Sequence, residues 1–114
     1  MVFHLVTIFP EAIKGYFDSS ILRRAQEKKL IKIKFYNPRD FVKDKYKKVD
    51  DKPFGGGPGM VMKAEPIAKA IASAFNFKSQ ISKLKTKVIL SSPSGEQFTQ
   101  KMARDWAKKF KDII

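Results

Sequence analysis

The residues best equipped for chemistry in this 114-residue chain lie between Val49 and Met60. Asp50 and Asp51 come first, and Gly55, Gly56, Gly57, Pro58 and Gly59 then lead into Met60. Four of the chain's six glycines stand in this one stretch. Such a loop lets backbone approach a ligand closely and turns N–H groups toward an anion. The two carboxylates before it suit a polar group held near a substrate. It is not a Walker A loop, because no Gly-Lys-Ser/Thr follows. Nor is it a dinucleotide fingerprint, because Met62 stands where the third glycine belongs and no strand leads directly into it. On the residues alone, a ligand loop and a tether both remain open. Pro53 and Pro58 each fix φ and speak against simple flexibility. Asp50 and Asp51 do not read as an acid–base dyad, since sequence neighbours seldom converge on one substrate.

A second candidate is the bend Ser91-Ser92-Pro93-Ser94-Gly95, which follows the apolar run Val88-Ile89-Leu90. At the carboxyl end of a parallel strand such a bend lies where open α/β sheets bind ligands. The alternative is a plain Ser/Pro/Gly turn. His4, the chain's one histidine, sits inside a strand and reads as a hydrogen-bonded structural residue rather than a base. Trp106 and the phenylalanines read as core at helical or strand spacing.

Composition narrows the classes further. There is no cysteine, which excludes disulfides, thiolate metal sites and Cys nucleophiles. A single histidine excludes a multi-histidine metal cage. No 18-residue apolar run exists, so no membrane span is expected. The N-terminus lacks the basic opening of a secretory signal, and the expected compartment is the cytoplasm. Twenty-four Lys and Arg against eleven Asp and Glu give a net charge of +13. That field attracts polyanions, nucleic acid first among them, unless it is only a generic lysine-rich surface. The excess begins after residue 22.

These candidates need a scaffold. Val2–Phe9 is almost continuously apolar and reads as a strand buried on both faces. Pro10 opens a helix carrying Ile13, Tyr16 and Phe17. A second helix turns Ile21, Leu22 and Ala25 inward and Arg23, Arg24, Lys28 and Lys29 outward. Residues 31–36 alternate, with Ile31, Ile33 and Phe35 on one face, as a strand near a sheet edge does. Asn37-Pro38 stops it. From there to Gly59 we expect a loop with one short helical turn near Arg39–Phe41. A helix follows over 65–74, with a stripe of Ile67, Ala68, Ile71, Ala72 and Phe75. Then come a lysine-rich loop over 76–86, a strand over Lys87–Leu90, and a helix over Thr99–Lys111 with Met102, Ala103, Trp106, Ala107 and Phe110 on one side. Asp112-Ile113-Ile114 opens another strand. This alternation predicts an α/β fold with a mainly parallel sheet and helices on both faces. Because the pattern breaks off on a strand, residues 1–114 are expected to be part of a longer protein.

Read together, several blocks carry a family likeness. They are Ile8-Phe9-Pro10-Glu11, Asn37-Pro38-Arg39-Asp40-Phe41, Val49-Asp50-Asp51, Gly55 through Met62, and Leu90-Ser91-Ser92-Pro93-Ser94-Gly95 followed by Phe98 and Gln100. In order and spacing the chain resembles the N-terminal part of the bacterial tRNA (guanine-N1)-methyltransferases of the TrmD family. The resemblance implies a SPOUT-type α/β fold with a trefoil knot, a homodimer with active sites between subunits, and tRNA as substrate. It implies methyl transfer from S-adenosyl-L-methionine to N1 of guanine at tRNA position 37, assisted by magnesium. It places Asp50, Gly55, Gly56, Gly57, Pro58, Gly59 and Met60 near the target guanine. Leu90, Ser92, Pro93, Ser94 and Gly95 become one wall of the cofactor pocket. The family usually has glutamine at Ser94, often an aromatic at Leu90, and commonly a histidine near Tyr46. Its knot, second cofactor segment and proposed catalytic aspartate lie beyond residue 114. The resemblance therefore implies no catalytic residue and no metal ligand in these residues, and an inactive fragment. The rival readings are a non-catalytic basic RNA-binding domain and a basic tether or assembly module.

Overall fold

The computed structural model describes residues 1–75 and 85–114. Five-residue strands β1 (Val2–Val6) and β2 (Lys32–Tyr36) are joined through helices α1 (Pro10–Phe17) and α2 (Ser20–Glu27). A 3₁₀ turn (Pro38–Phe41) follows, then the short strands β3 (Asp50–Asp51) and β4 (Val61–Met62), and helix α3 (Ala64–Ala74). Strand β5 (Thr86–Lys87), helix α4 (Gln100–Lys109) and strand β6 (Asp112–Ile113) complete the described chain. The lysine-rich loop expected over 76–86 falls mostly outside the described residues.

Strands β2, β1, β6 and β5 form one sheet in that order, and every pairing in it is parallel. The α/β class, the parallel sheet and the edge position of β2 agree with the sequence reading. Register sets the faces. Phe3 pairs with Ile33 and Leu5 with Phe35, so these four share one face. Phe17 of α1 meets Phe35 edge to face, ring centroids 6.1 Å apart. Helix α3 packs against β1, β2 and the 3₁₀ turn. No helix among the described residues is long and apolar enough to cross a membrane.

Packing revises several expectations. Helix α3 buries Pro66, Ala70 and Ala74, while Ala68 and Ala72 are exposed. The small side chains turn inward because they let the helix axis come close to the sheet and the 3₁₀ turn. Ile21, expected inward, is exposed, as is Tyr16; Ile13 and Phe17 of α1 and Leu22 and Ala25 of α2 are only partly buried. Among the described residues no phenylalanine is in the buried hydrophobic core, which consists of Val49, Ala70, Ala74 and Ile114. Val49, inside the segment expected to be loop, is 1% exposed. Regular pairing of β5 ends at Lys87, before the Val88-Ile89-Leu90 run. The ladder continues only through Ile114 N–H to Lys87 O (2.9 Å) and Ile89 N–H to Ile114 O (2.8 Å).

His4 is 5% exposed and held by two partners distant in sequence. Its Nδ1 lies 3.0 Å from the Tyr36 hydroxyl, and its Nε2 lies 3.0 Å from Asp112 Oδ1. Parallel register puts all three on one face, linking β2, β1 and β6 through polar atoms. This satisfies the imidazole, as a structural histidine requires. Burial, then the negative charge of Asp112, raises the Tyr36 hydroxyl above its ordinary 10.0. The folded chain therefore favours the neutral phenol. That contribution is complete below pH 10 and is lost as pH climbs through the raised folded value. In the wild type, stability should fall steeply above pH 10, and Tyr36→Phe should flatten that limb. Denaturant midpoints collected across pH 9 to about 11.5 check it.

Candidate functional site

The glycine stretch is the tip of a hairpin. Asp50 pairs with Met62 and Asp51 with Val61, antiparallel. Lys63 N–H donates to Val49 O at 2.7 Å, so buried Val49 anchors the base. Both ends of the loop are thus clamped, which a tether would not require. Alternation sends Asp50 and Asp51 to opposite faces of the ribbon, and they form no dyad. Asp50 is half-buried and shares its face with Met62. Asp51 is exposed; its Oδ1 accepts from Lys52 N–H at 2.9 Å and its Oδ2 lies 3.5 Å from Lys63 Nζ. The Lys52 backbone bond first, then Lys63, holds the Asp51 carboxyl below its usual range.

At the tip, Gly56 N–H donates to Pro53 O at 3.0 Å. Gly57 and Gly59 both sit at φ +98°, while a Cβ on Gly55, Gly57 or Gly59 would meet nothing within 4 Å. Backbone conformation, not crowding, demands glycine there. Gly59→Ala should cost about 1–2 kcal/mol through its left-handed φ. Gly55→Ala, with neither strain nor contact, should stay within about 0.5 kcal/mol. Denaturant midpoints of the two variants make the comparison. The tip also projects Phe54 fully into solvent, with Met60 58% exposed.

The second candidate builds a groove. Leu90, Ser92, Pro93 and Gly95 line an open cleft of about 820 Å³ that follows β5 at its carboxyl end. Ser94 is not in the lining; its hydroxyl lies 3.0 Å from that of Ser92. Gly95 N–H closes the bend on Ser92 O at 3.1 Å. A Cβ at Gly95 would come within 3.2 Å of that same carbonyl. Pro93 and Gly95 occupy the second and fourth turn positions, which suit a type I bend. The opposite wall comes from α4 and the segment before it. Thr99 caps α4, its Oγ1 accepting from Met102 N–H at 3.2 Å. Met102, Trp106 and Phe98 face the cleft, with the Phe98 and Trp106 rings 5.3 Å apart. Lys87 Nζ lies 5.6 Å from the Trp106 ring centroid. Trp106, expected in the core, is a half-buried groove residue. The apolar stripe on α4 is what marks it; its use as a wall is not visible from spacing.

The two candidates do not share a lining within one chain: no residue of 50–60 borders the cleft. Strand order explains this. The hairpin enters after β2 and the bend follows β5, and these are the two edge strands of the four-stranded sheet, about 14 Å apart at the usual strand spacing. Among the described residues, no group of three His, Cys, Asp or Glu converges to hold a metal ion.

The sequence profile of the family described as tRNA (Guanine-1)-methyltransferase TrmD matches residues 1–114. A tRNA (guanine-N(1)-)-methyltransferase of Dictyoglomus turgidum is 55% identical over 105 residues, covering 92% of this chain and 40% of that protein. The enzyme of that name from Caldicellulosiruptor saccharolyticus is 46% identical over 114 residues, covering 100% of this chain and 44% of its own. The chain thus spans less than half the length of these relatives. The crystal structure of tRNA (m1G37) methyltransferase from Aquifex aeolicus superposes with a TM-score of 0.77 at 31% identity. The match covers 99% of this chain and 49% of that one. With the profile matched from end to end and the fold shared, the chain belongs to the tRNA (guanine-1)-methyltransferase TrmD family.

Proposed function

We propose that these residues form the N-terminal part of a SPOUT-type enzyme that transfers the methyl group of S-adenosyl-L-methionine to N1 of guanine 37 in tRNA. The observation that carries the reading is the end-to-end family match, in a chain whose expected cofactor residues Leu90, Ser92, Pro93 and Gly95 border one cleft. About 820 Å³ falls within the range of small-molecule sites. Its mixture of apolar side chains and serine hydroxyls suits a purine nucleoside whose ribose carries an amino-acid chain through a sulfonium.

When bound, the donor supplies a methyl group already activated on a sulfonium, so the protein's task is alignment and removal of the N1 proton. Leu90, Phe98, Met102 and Trp106 give the open cleft its apolar walls. The Ser92–Gly95 bend fixes its rim. The hairpin presents Asp50 to the guanine edge, where a carboxylate accepts from the exocyclic amine and leaves N1 free. We assign the base that takes the N1 proton to no residue within 1–114. The segment alone is therefore proposed to be inactive. Hairpin and cleft are separated within one chain, so a homodimer in which one copy's hairpin meets the other's cleft supplies the missing juxtaposition. Among the described residues no group of carboxylates or histidines fits a resident magnesium ion. A tRNA substrate places the protein in the cytoplasm.

The test is methyl transfer by the full-length protein to two tRNA transcripts differing only at position 37. Guanine there should yield 1-methylguanosine on nucleoside mass analysis, and adenine should yield no methylated product. Tight tRNA binding with no methylation of either transcript would instead favour the non-catalytic basic RNA-binding domain.

A further inference from the structure

Beside the hairpin base lies a smaller cavity of about 240 Å³, bordered by Lys43, Lys48, Lys63 and Lys69, with Glu65 and Pro66. The residues come from three places: the segment after the 3₁₀ turn, the end of β4, and the first turns of α3. Two of the lysines are already paired, Lys63 with Asp51 at 3.5 Å and Lys69 with Glu65 at 2.6 Å. Among the described residues neither Lys43 nor Lys48 forms an ion pair with a carboxylate, although the charge of Lys48 also reaches Asp51. Lys48 is nonetheless held in place: its backbone N–H donates to Asp44 Oδ2 at 3.2 Å, in a turn that Asp44 also closes on Tyr46 N–H at 2.9 Å. Four ammonium groups thus face one lining carboxylate across a concave surface. Lysine is a point-charge donor suited to phosphate oxygens, with no demand for a planar, bidentate partner.

We propose that this cavity is a seat for a backbone phosphate of the RNA substrate, gripped chiefly by Lys43 and Lys48. It rests on the tRNA-directed reading above and adds to it a binding position separate from both the hairpin tip and the cofactor cleft. Its place beside the hairpin base gives it a use: a phosphate fixed there sets the register of the strand whose base reaches Asp50. Phosphate contacts position a nucleic acid without reading its sequence. The Asp51 carboxyl, held low by the Lys52 backbone bond and then by Lys63, and the Glu65 carboxyl, held low by Lys69, stay ionised through the neutral range and offset part of the lysine charge; the remaining positive excess is that of Lys43 and Lys48.

The experiment is a salt titration of tRNA binding by the full-length protein. The parent is compared with Lys43→Ala/Lys48→Ala and with Lys108→Ala/Lys109→Ala, which removes equal charge from the end of α4. Each neutralised phosphate contributes roughly 0.7 to 0.9 to the slope of log affinity against log salt. The Lys43/Lys48 variant should lose about one unit of slope, with KM for tRNA raised and kcat unchanged, and the α4 variant should lose much less. Equal slopes in both variants overturn the proposal; if 1-methylguanosine still forms, the methyl-transfer reading stands. Saturable binding of inorganic phosphate at these lysines with an unchanged tRNA slope also overturns it, in favour of a small-anion site. A parent protein that binds no tRNA overturns this proposal and the function beneath it together.

Discussion

Asp50→Ala in the full-length protein is expected to lower kcat/KM for tRNA methylation by about 10- to 100-fold. A hydrogen bond to a charged group is worth about 1.5–3 kcal/mol, and each 1.36 kcal/mol is roughly a factor of ten in rate. The half-buried carboxylate stands on the Met62 face of the ribbon, where the proposed guanine contact needs it. Asp51 is the internal control. It lies on the opposite face, and its exposed contact with Lys63 belongs to a class worth about 0.2–1 kcal/mol. Asp51→Ala should therefore cost less than about fivefold. Asp50→Asn, which keeps an acceptor and removes the charge, should fall between the parent and Asp50→Ala. Steady-state kinetics of the three variants with a single tRNA transcript decide the matter. Equal losses at Asp50 and Asp51 would mean that ribbon stability, not a face-specific contact, governs the rate.

A larger effect is expected from dividing the protein. The segment 1–114 alone should methylate tRNA at least about 10⁴-fold more slowly than the full-length protein. On the proposed reading the general base lies outside these residues, and its loss accounts for about 10²–10⁴; lost alignment of donor and acceptor adds to it. Among the described residues its cleft is lined by 87–93, 95–98, Met102 and Trp106. S-adenosyl-L-methionine should accordingly show no saturable binding to the segment below about 1 mM, an affinity equivalent to about 4 kcal/mol. Calorimetry is the check. Micromolar affinity for the isolated segment would mean that the cleft is already complete.

Much of the scaffold was readable because its signals are local. The apolar run at Val2 marks β1, the alternation Ile31-Ile33-Phe35 marks β2, and the stripe on Thr99–Lys111 marks α4. Asn37 and Thr99 cap their turns as their side chains allow, accepting from Arg39 N–H and Met102 N–H. What stayed hidden depends on residues far apart in the chain. The hairpin was read as loop because β3 and β4 are two residues each, too short to show any period. Val49 is buried by the surfaces that assemble around it, and nothing in its neighbours announces that. His4 was read as structural, but its partners lie 32 and 108 positions away and only parallel register brings them together. The stripe on α3 was misplaced because alanine fits either a packed or an open face, and the close approach to the sheet selects Ala70 and Ala74.

The candidate site divides along the same line. The Ser92–Gly95 bend was found because its turn chemistry and its place after a strand are both sequence properties. Phe98, Met102 and Trp106 were assigned to the core because apolar spacing does not distinguish a wall facing a ligand from one facing the sheet. That hairpin and cleft are apart within one chain follows from the order β2-β1-β6-β5, which no local pattern encodes.

A hairpin from one copy and a cleft from another are proposed to form one active site, and mixing two defective proteins distinguishes this from a site within one copy. Asp50→Ala disables the hairpin. Gly95→Val places a branched side chain where even a Cβ lies 3.2 Å from Ser92 O, and disables the cleft. Co-refolded in equal amounts, the two should recover about a quarter of wild-type activity, because half the dimers are mixed and each mixed dimer holds one intact site. Activity no higher than the mean of the two parents would mean that hairpin and cleft act within a single copy, and would contradict the account.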